Sequence, residues 1–141
     1  MSSFSPDRFK EGQQVQIPFW VSSTDMETYA ALSGDRNPVH RDTTFAKNNG
    51  FRGPVVYGGL LIGAISRLLG MELPGPGCIW HSLVVQFKTP LYVGEKALVQ
   101  AKVTYLNLDL RVLRLDLEIK RGDDLLAKGQ AQAGWAERLE T

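Results

Sequence analysis

The stretch GGLLIGAISRLLG, residues 58–70, constrains the fold more than any other part of the sequence. It is a run of good helix formers and small residues with glycine at each end, and its only strongly polar side chains are Ser66 and Arg67. A helix that is apolar on nearly every side is normally buried in a protein interior. The Pro-Gly-Pro-Gly segment at residues 74–77 then ends the helical region. The rest of the chain must therefore supply a surface that encloses this helix.

Five other segments have the alternating pattern or the composition of β-strands. One precedes the helix and contains Pro18, which suits an edge strand because proline cannot donate a ladder hydrogen bond. Four follow the helix, and the last two are joined by a tight turn at Gly122-Asp123-Asp124. The predicted strands cover residues 14–21, 79–88, 97–107, 110–121 and 125–135.

An antiparallel sheet that curls around one buried helix satisfies both patterns, and this is the hot-dog arrangement. We therefore predict an α+β fold in which residues 1–141 form a single hot-dog domain. Such a sheet leaves one edge and part of its helix uncovered, so we also predict a homodimer.

Two short helices are predicted between the first strand and the buried helix. Thr24 and Glu27 have the spacing of a capping box, which predicts where the first of them begins. Asp42 or Thr43 is expected to cap the second. The polar segment GDRNPVH, residues 34–40, therefore lies in the loop between them.

The composition excludes several classes of protein. Sixteen basic and fifteen acidic residues give a net charge of +1 without a basic stripe, which argues against nucleic acid as a partner. No apolar run approaches the roughly 18 residues of a membrane span, and the polar N-terminus has no signal region. A single cysteine and two histidines make a metal site improbable. We expect a cytoplasmic protein with no membrane partner and no metal.

Asp35 and His40 flank an Asn37-Pro38 pair in this loop. Pro38 fixes its own φ and disfavours helical conformation at Asn37, so the loop is stiff. A carboxylate and an imidazole held in fixed directions can act as an acid/base pair on a small molecule such as water. The alternative is that Asp35 caps the turn while His40 begins the next helix, since such turns are common in loops. The spacing alone leaves both interpretations open.

Tyr57-Gly58-Gly59 begins the buried helix, where backbone N–H groups are free and the helix dipole is positive. These groups could hold a carbonyl oxygen that gains negative charge, or the glycines could simply allow tight packing. Among other candidates, His81 is expected to be an ordinary strand histidine and Cys78 a small core residue. Arg52 is expected to be a solvated surface charge.

The segment LSGDRNPVHRDTTFA, residues 32–46, resembles the signature of the MaoC-like dehydratases, the family of (R)-specific enoyl-CoA hydratases. That signature has Gly-Asp, then Asn-Pro, an aliphatic residue, His, a further Asp and Phe-Ala, and this segment has all of them in order. The similarity continues through FRGPVV, LPGPG and FKTPLYVGE, so it covers most of the chain. The resemblance implies a hot-dog fold in which the signature loop overhangs a substrate tunnel.

The resemblance also implies roles for individual residues. Asp35 and His40 match the catalytic pair that activates a water for addition to a trans-2-enoyl thioester, which gives the (R)-3-hydroxyacyl product. Asn37 matches a residue that helps to orient the pair. Gly58 matches the glycine whose backbone N–H polarises the thioester carbonyl. No metal or redox cofactor is implied, and coenzyme A is the carrier part of the substrate.

Two positions depart from the family pattern. Tyr57 stands where members commonly have His, and Gly63 where some have Ser near the active site. The Tyr57 hydroxyl either replaces a histidine hydrogen bond and orients the substrate, or the ring fills core volume. We expect both positions to affect acyl-chain preference. One alternative function is a hot-dog acyl-CoA thioesterase, but the resemblance associates that activity with a motif other than GDRNPVH. The other is a non-catalytic acyl-thioester-binding module, and the intact Asp35 and His40 argue against it.

Overall fold

The long strands form one antiparallel sheet in the computed structural model, which describes residues 2–3, 8–136 and 138–139. Its strands are β2 (Gln14–Phe19), β3 (Cys78–Phe87), β4 (Ala97–Asn107), β5 (Val112–Arg121) and β6 (Asp124–Trp135). They lie in the order β2-β4-β5-β6-β3, and all neighbours are antiparallel, as predicted. A separate pair joins β1 (Ser2–Ser3) to β7 (Arg138–Leu139). The extreme ends of the predicted 1–141 domain lie outside the described residues.

The core lies between this sheet and helix α3 (Gly58–Met71). The helix contacts β2, β3 and β4. It buries Leu61, Ile65, Leu68 and Leu69. The inward face of β5 is buried as its alternation predicted, with Leu113, Leu115, Leu117 and Ile119 at 0–1% exposure. Each fully buried side chain of this kind stabilises the fold by roughly 1.5–3 kcal/mol, so these two sets hold the helix against the sheet.

Helix α3 is buried along one face rather than on every side. Gly63, Ser66, Arg67 and Met71 are exposed in the single chain. Leu60, Gly63 and Ala64 line an apolar groove of about 430 Å³ on this outer side. No helix of the described residues combines the length and hydropathy that a membrane span requires.

Helix α1 (Ser23–Ser33) begins two residues earlier than the capping-box prediction implied. Ser22 is the N-cap: its Oγ accepts the Asp25 N–H at 3.1 Å, and its own N–H donates to Asp25 Oδ2 at 2.9 Å. The prediction of a box from Thr24 to Glu27 is therefore wrong. Both frames have the required spacing, but the helix that begins at Ser23 places Thr24 inside the first turn, where its carbonyl accepts the Thr28 hydroxyl.

The segment between α1 and α2 (Thr43–Asn48) is compact. Gly34 ends α1 with a φ of 76°, a conformation that glycine adopts without strain. Pro38–His40 forms one turn of 3-10 helix. Asp42 then caps α2 by accepting the Phe45 N–H at 3.1 Å. The predicted placement of GDRNPVH between two short helices is confirmed.

Strand β3 contains a β-bulge at His81. The register shifts between Trp80 and Ser82, so that Trp80 pairs with Ala133 and Ser82 with Gln132. A bulge leaves the extra residue without a partner on the next strand. His81 is exposed, like Ile79 two residues before it, and Ser82 after the bulge is exposed as well.

Candidate active site

Short hydrogen bonds from side chains to backbone fix the loop that carries the predicted catalytic pair. The Asp35 N–H donates to Ser33 Oγ at 3.0 Å, and the Asn37 N–H donates to Asp35 Oδ1 at 3.0 Å. The Val39 N–H donates to Asn37 Oδ1 at 3.2 Å. Each bond closes a turn of the kind that Ser, Asp and Asn form locally. Within residues 8–136, Asp35 Oδ2 meets no hydrogen-bond donor, so half of this carboxylate is available.

His40 is held by the backbone of the segment that precedes α3. Its Nδ1 lies 2.7 Å from the Val55 carbonyl oxygen, and the Val55 N–H donates to the Val39 carbonyl at 3.0 Å. A carbonyl oxygen only accepts, so Nδ1 must carry the hydrogen. In the neutral ring the lone pair is then on Nε2, which is the atom that can take or give a proton. The imidazole is half-buried and has one defined direction.

Tyr57 joins the two members of the pair. Its hydroxyl donates to the Asp35 carbonyl oxygen at 2.6 Å, and its ring stacks on His40 with 4.1 Å between centroids. The ring also contacts Tyr29 at 4.6 Å. Tyr57 is only 1% exposed, so it fills core volume and also makes a hydrogen bond. The structure therefore shows the core-filling role, and the hydroxyl bonds to the protein backbone.

The beginning of α3 lies directly beside this group. Gly58 is the first residue of the helix, and Tyr57 at the N-cap makes no side-chain cap. In the described part of the chain, no acceptor meets the N–H groups of Gly58 or Gly59. These amides point out of the positive end of the helix dipole. A Cβ on Gly58 would lie 2.9 Å from the Phe87 ring, so the glycine also permits close packing.

Arg41 follows the His40 turn and adds a positive charge to this region. The Tyr57 hydroxyl raises the pKa of the Arg41 guanidinium, and Glu27, whose carboxylate lies 3.2 Å away, raises it further against the opposing effect of burial. Arg41 is therefore charged at neutral pH. Both side chains of this ion pair are partly exposed, so its contribution to stability is small.

Tyr57 links three of the predicted site residues: its hydroxyl bonds to the Asp35 backbone carbonyl, its ring stacks on His40, and Gly58 follows it in the chain. Asn37 lies in the same loop, with its side-chain oxygen engaged by the Val39 N–H. Gly63 lies further along α3, on the outer groove, and a Cβ there would meet nothing within 4 Å.

Sequence reasoning missed the contributions of Tyr29, Arg41 and the Val55 carbonyl. Tyr29 could have been suspected only as an aromatic residue on a short helix, a pattern that core packing explains equally well. The Val55 carbonyl has no signal at all, because every residue has one and only the fold places this one beside His40.

Cys78, which the sequence led us to expect as a small core residue, is not part of this group. Cys78 begins β3 and is half-buried. Burial raises the pKa of its thiol, so it is mostly un-ionised at neutral pH. Among the described residues, no three His, Cys, Asp or Glu side chains form a group that could hold a metal ion.

Comparison with known proteins matches this chain to one family. A family model described as a MaoC like domain matches residues 6–109. The (R)-specific enoyl-CoA hydratase of Aeromonas caviae is 34% identical over 128 residues, which cover 90% of this chain and 96% of that protein. The 3-hydroxybutyryl-CoA dehydratase of Methylorubrum extorquens is 34% identical over 111 residues, which cover 79% of this chain and 71% of that protein.

A solved structure agrees in fold. The (R)-hydratase from A. caviae that is involved in PHA biosynthesis superposes with a TM-score of 0.85 at 33% identity, covering 91% of this chain and 98% of that one. The hot-dog fold and the resemblance recognised in residues 32–46 are both confirmed. The matched range contains the signature loop, α3 and strands β2 to β4. This chain belongs to the MaoC-like domain family.

Proposed function

We propose that this chain is a hydro-lyase that adds water to trans-2-enoyl-CoA to give (R)-3-hydroxyacyl-CoA, and catalyses the reverse dehydration. The observation that carries the proposal is the grouping of Asp35, His40 and the free Gly58 amide around Tyr57. The relatives named (R)-specific enoyl-CoA hydratase and 3-hydroxybutyryl-CoA dehydratase support the same reaction class.

In this mechanism the thioester carbonyl accepts a hydrogen bond from the Gly58 N–H. The positive end of α3 then stabilises the negative charge that develops on the carbonyl oxygen during the addition. This polarisation draws electrons from the double bond and leaves C3 open to attack. Gly58 thus supplies the electrophilic assistance that acyl thioester chemistry requires.

Asp35 then holds the water, and His40 transfers the proton. The Asp35 carboxylate holds a water, and the Nε2 lone pair of His40 takes a proton from it as the water oxygen bonds to C3. The electron pair of the double bond moves to form the thioester enolate. The Nε2–H then returns the proton to C2, on the face from which the hydroxyl came. One water has been added, and both side chains regain their starting state.

Asn37 and Tyr57 prepare this pair. Asn37 closes the turn in front of His40, which keeps the loop in one conformation. Tyr57 is almost inaccessible, so we propose that it acts through Asp35 and His40 instead of touching the substrate. This role differs from the orientation of the substrate that we expected of Tyr57 from the sequence.

We assign the acyl chain to the apolar groove along α3. Tyr29, Leu60 and Gly63 line this groove, and Tyr29 also contacts Tyr57 beside the catalytic pair. Gly63 leaves room where a larger residue would narrow the groove. Gly63→Leu is expected to lower activity on long enoyl-CoAs more than on crotonyl-CoA, and equal loss on both would argue against this assignment.

Coenzyme A enters as the carrier part of the substrate, with no further cofactor. We place the enzyme in the cytoplasm, where a reduced Cys78 and CoA thioesters occur together. A core that extends from Phe9 to Trp135, whose rings lie 4.7 Å apart, supports one domain over residues 1–141.

We also propose a homodimer along β3. This strand is an edge of the sheet, and its Ile79, Val84 and Phe87 side chains are exposed large apolar groups. An open apolar edge favours pairing with a second copy. Phe87 also lies against Gly58, so the site adjoins this edge. Sedimentation equilibrium should give the mass of two chains, and a monomer at micromolar concentration would exclude the dimer.

The proposed reaction is tested with crotonyl-CoA and longer trans-2-enoyl-CoAs. Hydration removes the enoyl thioester absorbance and forms (R)-3-hydroxyacyl-CoA without releasing a thiol. If free coenzyme A is released and the double bond of the acyl group is unchanged, the protein is a thioesterase and the proposed hydration is wrong. Binding without turnover of any substrate would instead support an acyl-thioester-binding module.

A further inference from the structure

Glu95, outside the proposed catalytic group, has a carboxylate that serves three donors. Its Oε1 accepts the Tyr92 N–H at 2.9 Å and Arg121 Nη1 at 2.8 Å. Its Oε2 lies 3.1 Å from Arg52 Nη2. Hydrogen bonds in which one partner is charged are roughly twice as strong as neutral ones. This side chain therefore fixes three chain segments relative to one another.

The arrangement also keeps Glu95 ionised. Burial acts to raise the pKa of this carboxyl, but the hydrogen bonds from Tyr92, Arg52 and Arg121 outweigh it and lower the pKa. The Arg121 guanidinium is itself held by Asp124 at 3.1 Å and by the Pro90 carbonyl at 3.0 Å. The cluster thus joins the β5–β6 hairpin to the turn that precedes β4.

That turn is joined in the same way to the segment before α3. The Arg52 N–H donates to the Tyr92 hydroxyl at 3.1 Å, and the Arg52 guanidinium lies 4.3 Å from the centre of the Tyr92 ring. Val55 forms an antiparallel bridge with Tyr92, and the Val56 N–H donates to the Leu91 carbonyl at 2.8 Å. Residues 52–56 are therefore held along their length by the turn that Glu95 stabilises.

The last contact reaches the imidazole. The Val55 carbonyl accepts the hydrogen of His40 Nδ1 at 2.7 Å, while the Val55 N–H donates to the Val39 carbonyl at 3.0 Å. The direction of this carbonyl decides which ring nitrogen carries the hydrogen and where Nε2 points. A shift of the 52–56 segment would change both.

We propose that Glu95 is a positioning residue for His40, acting through Tyr92, Arg52 and the Val55 carbonyl. Arg52 alone would be a weak anchor, because its side chain is 68% exposed and surface ion pairs contribute little. Glu95 strengthens this weak link because its carboxylate also accepts the backbone N–H of Tyr92, which contacts Arg52. The consequence for catalysis rests on the proposed function, whereas the effect on the imidazole does not.

Glu95→Gln tests the proposal by nitrogen-15 NMR of the histidine rings at a pH where imidazole is neutral. The chain has only two histidines, so His81 is an internal reference. In the wild type, the chemical shifts of the His40 ring nitrogens should be those of an imidazole that carries its hydrogen on Nδ1. We expect the variant to move the His40 Nδ1 and Nε2 resonances away from these values and to leave those of His81 unchanged. We also expect kcat for hydration to fall roughly tenfold or more, since small misplacements of catalytic groups are costly, with little change in KM.

Glu118→Gln is the matched control. Glu118 is also a glutamate in an ion pair, 3.1 Å from Lys120, but it lies on the sheet away from the 52–56 segment. The Glu118→Gln variant should have the same His40 resonances and the same kcat as the wild type. The proposal is wrong if Glu95→Gln leaves the His40 resonances unchanged, or if Glu118→Gln moves them equally.

Tyr92→Phe keeps the test decisive if Glu95→Gln does not fold. It removes only the hydroxyl that accepts the Arg52 N–H, and it should move the His40 resonances in the same direction by a smaller amount. Unchanged His40 resonances in that variant would overturn the proposal. A wild-type chain that hydrates no enoyl thioester would refute the proposed function, while the NMR result would still decide the role of Glu95.

Discussion

At the scale of single residues, the contacts of the two histidines predict ring hydrogens on opposite nitrogens. His40 Nδ1 faces a carbonyl and must donate. His81 Nδ1 lies 3.1 Å from Gln132 Nε2, and the Gln132 Oε1 faces Arg114 Nε at 3.5 Å. Because arginine only donates, this contact orients the amide with its NH₂ group toward His81. We therefore expect His81 to accept at Nδ1 and to carry its hydrogen on Nε2.

Nitrogen-15 to proton correlation spectra of the neutral rings are expected to show one histidine of each tautomer. His81→Ala should remove the Nε2–H pattern and leave the Nδ1–H pattern of His40 intact. Two rings with the same tautomer would contradict the assigned geometry of His40 or of Gln132.

Tyr57→Phe removes one hydroxyl and keeps the aromatic packing against His40 and Tyr29. We expect a loss of about 1 kcal/mol in the free energy of unfolding, since the Asp35 carbonyl loses its 2.6 Å hydrogen bond. We also expect a fall in kcat, because the Asp35 backbone is less well held. Urea unfolding and initial rates measure both effects.

Tyr105→Phe is the control for that substitution, because its hydroxyl lies on the exposed side of the sheet and contacts only Asn107, at 3.3 Å, within residues 8–136. It should change neither quantity appreciably. An equal effect in both variants would mean that the Tyr57 hydroxyl has no special role.

At the scale of elements, Gly59 and Gly63 of helix α3 differ in their surroundings. A Cβ on Gly59 would overlap the Tyr29 ring, whereas a Cβ on Gly63 would meet nothing within 4 Å. Gly59→Ala is expected to lower the free energy of unfolding by about 1–3 kcal/mol, because the Tyr29 ring must be displaced. Gly63→Ala is expected to raise it by about 0.5–1 kcal/mol, because alanine favours helix. Thermal or urea unfolding of both variants tests this, and a Gly59→Ala variant as stable as the wild type would show that Tyr29 does not pack on the helix start.

Some features of the helices and strands are predicted by the local sequence, and others are not. The alternation of β5 predicted its buried leucines because the side-chain period of a strand is independent of its neighbours. The capping box was placed wrongly because Ser22–Asp25 and Thr24–Glu27 satisfy the same spacing, and only packing selects one frame. The bulge at His81 has no local signal either, since it depends on the pairing of β3 with β6.

At the scale of the whole molecule, the Glu95 cluster makes stability depend on pH. The pKa of this carboxyl is lower in the folded protein than its usual value, so the ionised form stabilises the fold. This contribution is present above the unfolded-state pKa, about 4.3, and is lost as the pH falls through the folded-state pKa. We expect Glu95→Gln to lower the urea midpoint of unfolding at neutral pH. We also expect the midpoint of this variant to fall less than that of the wild type as the pH is lowered. An unchanged acid profile would contradict the assigned ionisation.

The candidate site was predictable only in part, because the residues that orient Asp35 and His40 lie far from them in the sequence. Asp35, Asn37 and His40 are close in sequence, so the local motif indicated them. The contacts that orient them come from Val55 and Tyr57, which are 15 and 22 residues away from their partners. Contacts of that separation exist only once the sheet and α3 have packed together, so no local pattern encodes them.

The most direct test of the central claim is the initial rate of crotonyl-CoA hydration by the wild type, Asp35→Asn, His40→Ala and the control His81→Ala. If Asp35 and His40 perform the acid/base chemistry, each of their variants should lose roughly 100-fold or more in kcat/KM while remaining folded, and His81→Ala should match the wild type. Near-wild-type rates in folded Asp35→Asn and His40→Ala would contradict the account.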